Sequence, residues 1–364
     1  MNPTVTQFSQ EEFQLTFQLN NINVSLANAI RRVILSDIPI VVFRTQPHSK
    51  NLATFRKNTS RMNNELLKQR LECIPVMIDD IDFPIEDYVV EIKKENTTDS
   101  VIYVTTQDFK VKNTKTDTYI SETDNKKMFP PSPLTGYYID FVRLRPKLSK
   151  EYEGEGIDIT CKLDKDSACN NGAYNVTSMC SYEAVQDMTK VAVEWAKKEK
   201  ELKAQKEKNT DLIKKEWLLL DAKRLILEDT FKFRIETIGQ YSNTMIMEKA
   251  LQQLIIKIKT FQDKVQQEEN IVLADSTIQN CFDVTLVGED YTVGKCIEYM
   301  LYETHYNKTV SFCGFTKPHP LINKALIRIA FYKETDKTIV MSYLENAAKG
   351  CIAIFEKLMP YFSD

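Results

Sequence analysis

The chain has 364 residues, 43% apolar and 10% aromatic, enough to bury a substantial core and to form two or three domains. A formal charge of -3 and a pI near 5.9 exclude a global basic field able to hold a phosphate backbone, so if the chain works near nucleic acid, DNA or RNA would be gripped by partners. No apolar run approaches the roughly 20 residues of a membrane helix, and the opening MNPTVTQFSQEEF lacks the order of a secretory signal, so the expectation is a cytoplasmic or nuclear protein, neither secreted nor membrane-bound.

In chain order, the first patterned stretch is FQLTFQLNNINVSLANAIRRVILSDIPIVVF, residues 13–43. It alternates, breaks at polar residues, and continues as a helix with Leu26, Ala29, Ile30, Val33 and Ile34 at i, i+3, i+4, i+7 and i+8, one buried face. Ser25, one residue ahead of that stripe, is the expected N-cap. After Pro39 the run Ile40–Phe43 reads as a strand. A polar segment follows, then the helix-like NNELLKQRL and the short apolar CIPVMI. YVVEIKK, VIYVTTQDF, YYIDFVRLRP and GIDITCKL read as strands, and the proline cluster FPPSPL at 129–134 marks a loop. From 183 to 228 the reading is helical and highly charged. Interleaved Lys and Glu in KKEKELKAQKEK at 197–208 fit a solvated helix face better than a basic nucleic-acid arm.

FKFRIETI then resumes strand alternation. A long helix follows, with Met247, Ala250, Leu251, Leu254, Ile258, Phe261 and Val265 on one face. Beyond a charged linker at 266–275, the opening pattern returns as FDVTLVGEDYTVGKCIEYMLYE and VSFCGF. Val293, Cys296, Ile297, Met300 and Leu301 stand at the earlier offsets, with Thr292 as the expected N-cap. ALIRIAFY and a final helix carrying Leu344, Ala347, Ala348, Cys351, Ile352, Phe355 and Leu358 complete the repeat. Each half thus reads strand, helix, strand, strand, long helix, and packing the apolar helix faces of one half on those of the other predicts an internal pseudo-dimer.

Sharper chemical readings fail on spacing. GEDYTVGK has five residues between its glycines and Cys296 after its lysine, where a phosphate-binding loop needs four and a hydroxyl. Eight scattered cysteines without a CxxC pair predict reduced thiols, with a metal site at Cys161, Cys169 and Cys180 left open. His319 lies in TKPHPL, a turn set by Pro318 and Pro320, with no nucleophile beside it. No catalytic or cofactor-binding constellation appears, so the chain is expected not to be an enzyme by itself.

SLANAIRRVILSDIPIVVF, NTSRMNNELLKQRLECIPV and FRIETIG resemble the α-like assembly subunits of multisubunit RNA polymerases: the third-largest eukaryotic subunit, archaeal D and bacterial α. EDYTVGKCIEYMLYE and VSFCGFTKPHPL resemble the eleventh-largest subunit and archaeal L, with Glu289, Asp290, Thr292, Gly294, Pro318, His319 and Pro320 as motif positions. Both in one chain is similar to the arrangement in large nucleocytoplasmic DNA viruses, which would place it in host cytoplasm or virion. The resemblance covers nearly all of the chain except 95–130 and 183–228. It departs from the family at the zinc loop, since Cys73 is the only cysteine between 46 and 160, so no zinc or other cofactor is expected. GAYNVTSMCSY replaces the family's His-Ala-Lys-Trp-Ser-Pro stretch.

The resemblance implies an α+β fold of two dimerisation modules paired as an intrachain pseudo-heterodimer. The first is 1–45 plus 226–270, interrupted by a mainly β insert at 46–225, and the second is 276–364. It implies a non-catalytic assembly platform that docks the largest and second-largest polymerase subunits, and smaller ones, without forming a homo-oligomer. Arg31 and Arg32, off the buried stripe, with Asn28 and Ser25, are the expected docking residues. Leu26, Ile30, Val33, Ile34, Leu251, Leu254, Ile258, Val293, Ile297, Met300, Leu301, Leu344, Ala348, Ile352 and Phe355 are the expected intrachain interface. The competing expectation is a stand-alone homodimeric adaptor using the same fold.

Overall fold

A computed structural model describes residues 1–147, 149, 153–205 and 209–363. The chain divides into two compact units, one built from 1–34, 179–236 and 243–364, the other from 35–178 and 237–242. Among the described residues, no helix is long and apolar enough to cross a membrane.

The chain opens with β1 (Thr4–Gln10) and β2 (Gln14–Asn20), an antiparallel pair, and α1 (Val24–Ser36). Leu15, Phe17 and Leu19 alternate onto the buried face of β2, as its period-2 pattern requires.

The second unit then begins. It contains β3 (Ile40–Phe43), β4 (Ala53–Asn58), α2 (Asn64–Glu72), β5 (Tyr88–Glu95), β6 (Ile102–Thr105), β7 (Phe109–Asn113), β8 (Thr118–Tyr119), α3 (Glu122–Met128), β9 (Asp140–Leu144) and β10 (Gly156–Asp166). The long β10 organises it: β5 pairs along one edge, while β4 and β3 share the other, at Ile157–Cys161 and Leu163–Asp166 respectively. The sheet runs β3-β10-β5-β7-β8, and β6 with β9 forms a separate ribbon. Its core is centred on Phe43, Phe109, Phe129 and Phe141, with ring centroids 5.4 to 6.2 Å apart.

The chain returns to the first unit along β11 (Thr177–Gln186), followed by α4 (Met188–Ala204), α5 (Thr210–Leu219), β12 (Ile226–Thr237) and α6 (Asn243–Val265). Next come β13 (Ile271–Leu273), β14 (Cys281–Val287), α7 (Tyr291–His305), β15 (Val310–Thr316), β16 (Lys324–Phe331) and α8 (Lys337–Leu358). Its two sheets have the orders β1-β2-β12-β11 and β13-β14-β16-β15. Position for position, the strand orders are the same. The fold is α+β with two matching modules.

This topology shifts the expected boundaries. The run Ile40–Phe43 does not belong to the first module: all four of its residues are buried and β3 pairs with β10 of the insert. The module strand after α1 is instead β11, the counterpart of β15, so the insert starts at the end of α1 and ends near Ser178 instead of 225. Residues 183–186 are strand, not helix, because Tyr182 on β11 packs its ring on Phe231 and Phe233 of β12, both at 5.4 Å. The charged helices α4 and α5 lie between β11 and β12 in sequence and carry a small core of their own, Val191, Trp195, Trp217 and Ala222. Part of the charged run at 197–208, residues 206–208, lies outside the described residues. The expected linker also holds structure, since β13 pairs with β14.

Candidate functional site: the interface between the two modules

The two modules match residue by residue where they begin. β2 and β14 are both seven residues long, and each is followed, after a three-residue turn, by a helix, α1 or α7. The first turn residue has positive φ in both, Asn21 at 56° and Gly288 at 79°, a left-handed conformation open to Asn and Gly. The third turn residue caps the helix in both: Asn23 Oδ1 accepts from Ser25 N at 2.9 Å, and Asp290 Oδ1 from Thr292 N at 2.9 Å. The expected caps Ser25 and Thr292 are therefore corrected by two residues. The short carboxylate or amide side chain reaches back to the free first-turn amides, and the hydroxyl residues stand inside the helix.

The residues of the expected apolar faces lie in this unit and are nearly all buried. Leu26, Ile30, Val33 and Ile34 of α1 are buried, as are Leu251, Leu254 and Ile258 of α6, Val293, Ile297 and Leu301 of α7, and Leu344, Ala348 and Phe355 of α8. Met300 and Ile352 are half-buried at the margin of that face. α6 packs on α8, and α7 packs on both. Gly294 lets α7 lie directly on β15, for a methyl there would overlap the ring of Phe315, and Gly350 leaves room for the end of Met300.

Each module reaches across to the other. The Cys296 Sγ lies 3.9 Å from the carbonyl of Ser25, joining α7 to the start of α1. Beyond α8, Phe362 sets its ring against Phe17 of β2 at 5.1 Å, and Lys357 donates to Asn2 Oδ1 at 2.7 Å. At the end of α6, Lys264 Nζ donates to Glu289 Oε1 at 2.6 Å and to the carbonyl of Val287 at 3.0 Å. Such reciprocal reach is what a two-fold interface produces.

Arg32 is the largest departure from expectation. It faces the other module: its Nε donates to Thr292 Oγ1 at 2.9 Å and a terminal nitrogen meets Asp290 Oδ2 at 2.5 Å. Burial opposes ionisation of Asp290, but the Thr292 amide and hydroxyl and the Arg32 guanidinium outweigh it and hold the carboxyl below its usual value. Glu289 is 7% exposed, and the Lys264 ammonium is its partner. The GED turn at 288–290 thus takes one cation from α1 and another from α6. Sequence reasoning expected the partner of Arg32 in another subunit, not in its own chain, and did not single out Lys264. The signal available was two adjacent carboxylates in a turn, since the nearest cation in sequence, Lys295, pairs with Glu298 on its own helix.

Arg31 differs from its neighbour. It is half-exposed, and its Nε donates to Asn28 Oδ1 at 3.0 Å, one turn back on the same helix. His319 sits in an exposed turn between β15 and β16, its Nδ1 accepting from Leu321 N at 3.2 Å, with Pro318 and Pro320 exposed beside it.

The thiols along the interface are buried, and burial opposes their ionisation. Burial pushes Cys296 up to about 12 and Cys351 well above its ordinary value. Cys161 lies buried in the insert's core, Cys169 is exposed, and Cys180 belongs to the first unit. Among the described residues no three His, Cys, Asp or Glu side chains are grouped to hold a metal ion.

Comparison with known proteins follows the same division. Residues 16–258 match the family model described as the RNA polymerase Rpb3/Rpb11 dimerisation domain, and residues 281–360 match a second model of that description. A putative DNA directed RNA polymerase subunit of Acanthamoeba polyphaga mimivirus is 24% identical, over 97% of this chain and 90% of its own length. The DNA-directed RNA polymerases I and III subunit rpac1 of Dictyostelium discoideum is 25% identical over 50% of this chain, which spans only about half (52%) of that relative. RPAC2, a subunit of RNA polymerases I and III in Saccharomyces cerevisiae, is 42% identical over 14% of this chain and 33% of its own length. With matched models over both modules and the same strand order in each, the chain belongs to the Rpb3/Rpb11 family of RNA polymerase subunits and carries two of its dimerisation domains in one polypeptide.

Proposed function

We propose that the chain is the assembly platform of a multisubunit DNA-directed RNA polymerase, a non-catalytic pseudo-heterodimer on which the largest and second-largest subunits dock. The observation that carries this reading is the closed pairing of the two modules within one chain. It occupies the surface that a separate dimerisation partner would use, leaving the outer faces for other subunits. Tethering the modules replaces a bimolecular encounter by an intramolecular one at effective concentrations of about millimolar, and so sets their ratio at one to one. The chain itself then needs no second copy. Its contact with DNA and RNA runs through the large subunits, and if its source is viral it works in host cytoplasm or virion.

Arg31 with Asn28 is the docking element on α1, because the Arg32 guanidinium is engaged inside the chain. A half-exposed guanidinium retains donors for a carboxylate or carbonyl of another subunit. The outer faces are not equivalent: where α1 has Asn28 and Arg31, α7 has Lys295 and Glu298, joined as an ion pair. Two unlike faces suit two unlike large subunits. The test is affinity capture of the tagged chain with identification of co-purifying subunits. Recovery of both large subunits with the parent and loss of one with Arg31→Glu supports the reading. Stoichiometric recovery with Arg31→Glu removes Arg31 from it, and absence of both subunits from the parent removes the function.

A further inference from the structure

The pseudo-symmetry of the modules exposes an asymmetry in charge. Aligning the matched turns and helices places Asn23 at the position of Asp290, Ser25 at Thr292, Ile22 at Glu289 and Tyr299 at Arg32. The front module therefore supplies both cations, Arg32 and Lys264, and the back module both carboxylates. The matched positions Asn23, Ile22 and Tyr299 are neutral. We propose that Arg32–Asp290 and Lys264–Glu289 form a pairing code that selects front-with-back association over front-with-front or back-with-back.

Consider the alternatives in the same interface geometry. Two front modules would set Arg32 against Asn23 and Ser25, and Lys264 against Ile22, which is fully buried. Two back modules would set Tyr299 against Asp290 and leave that carboxylate without its guanidinium. Each homotypic pairing keeps the apolar helix faces, which are alike in both modules, so burial alone discriminates weakly. An unpaired charge held against an apolar or neutral group is costly, and that cost falls only on the wrong pairings. The code is needed because the modules are so similar: without it, two chains could associate through like modules and grow beyond one copy. The inference concerns how the modules choose each other and holds whether or not large subunits dock on the chain.

The test uses full-length chains and reads oligomeric state by native mass spectrometry and light scattering across a concentration series. One variant reverses the front, Arg32→Glu with Lys264→Glu; a second reverses the back, Asp290→Arg with Glu289→Lys; a third combines all four. Either half-reversal puts like charges together in the front-with-back pairing. Each is expected to self-associate at concentrations roughly tenfold or more below any at which the parent does, the factor carried by about 1.4 kcal/mol of coupling. The combined variant restores opposite charges and is expected to be monomeric and folded like the parent. It also controls for the lost Asp290 cap, which it shares with the back reversal. Half-reversed chains that stay monomeric at parent stability overturn the proposal. So does a combined variant that associates or unfolds as readily as the half-reversed ones.

Discussion

Two helical glycines, Gly294 in α7 and Gly350 in α8, should respond in opposite directions to the same substitution. Alanine in a helix interior is favoured over glycine by about 1 kcal/mol. At Gly294 the added methyl overlaps the ring of Phe315, which is 8% exposed and packed edge-on against Tyr291 at 5.4 Å. Overpacking of this kind costs about 1–3 kcal/mol. Displacing the ring also forfeits an aromatic pair worth about 0.5–1.5 kcal/mol. Set against the propensity gain, Gly294→Ala should lose about 1–3 kcal/mol, a fall in melting temperature of roughly 3–10 °C for a unit of this size. At Gly350 the overlapping atom is the terminal methyl of Met300, a half-buried and flexible side chain that can turn away. Gly350→Ala should therefore be neutral or gain up to about 1 kcal/mol. Thermal unfolding followed by circular dichroism decides the matter. A Gly294→Ala chain melting at or above the parent, with Gly350→Ala below it, refutes the reasoning that ring rigidity governs the sign.

A double-mutant cycle of Arg32→Met and Asp290→Asn should show a coupling of about 0.5–1 kcal/mol, modest because both side chains are about one-third exposed or more, and a coupling of zero would falsify the ionic reading. Asparagine retains the helix cap, so the cycle isolates the charge. Because the folded carboxyl of Asp290 lies below its ordinary value of 3.8, its stabilisation is present above that pH and is lost as pH falls through the folded value. The stability gap between parent and Asp290→Asn should accordingly close below about pH 3.8, and a gap that widens on acidification contradicts the assignment. Alkylation of the native protein, read by mass spectrometry, should mark the exposed Cys73 and Cys169 and spare the buried Cys296 and Cys351; early labelling of either buried thiol tells against their burial. The chain's two tryptophans, Trp195 and Trp217, share the small core beside α4 and α5, with centroids 5.4 Å apart. Their fluorescence should shift at lower denaturant than the loss of helical ellipticity, and coincident transitions would show that this segment unfolds with the modules.

The periodicity of the chain determined much by itself. The stripes on α1, α6, α7 and α8, the alternation in β2, β12, β14 and β16, and the doubling of the whole pattern are local properties, readable because helix and strand repeats impose their own spacing on apolar residues. The GED and PHPL elements marked the back copy through their resemblance to the eleventh-largest polymerase subunit. Tertiary structure alone decided which strand completes each sheet. Ile40–Phe43 reads as a strand and the end of Thr177–Gln186 reads as helix, and only hydrogen-bonded pairing gives the first to β10 of the insert and the second to β12 of the module. It also decided what Arg32 does. A helix pattern places that side chain off the buried stripe, whereas its partner Asp290 is 258 residues away and becomes its neighbour only when the two modules close on each other. A charge's sequence neighbours do not name its partner across an interface; the doubled pattern foretold that an interface would form, and the fold chose the four charges that make it asymmetric.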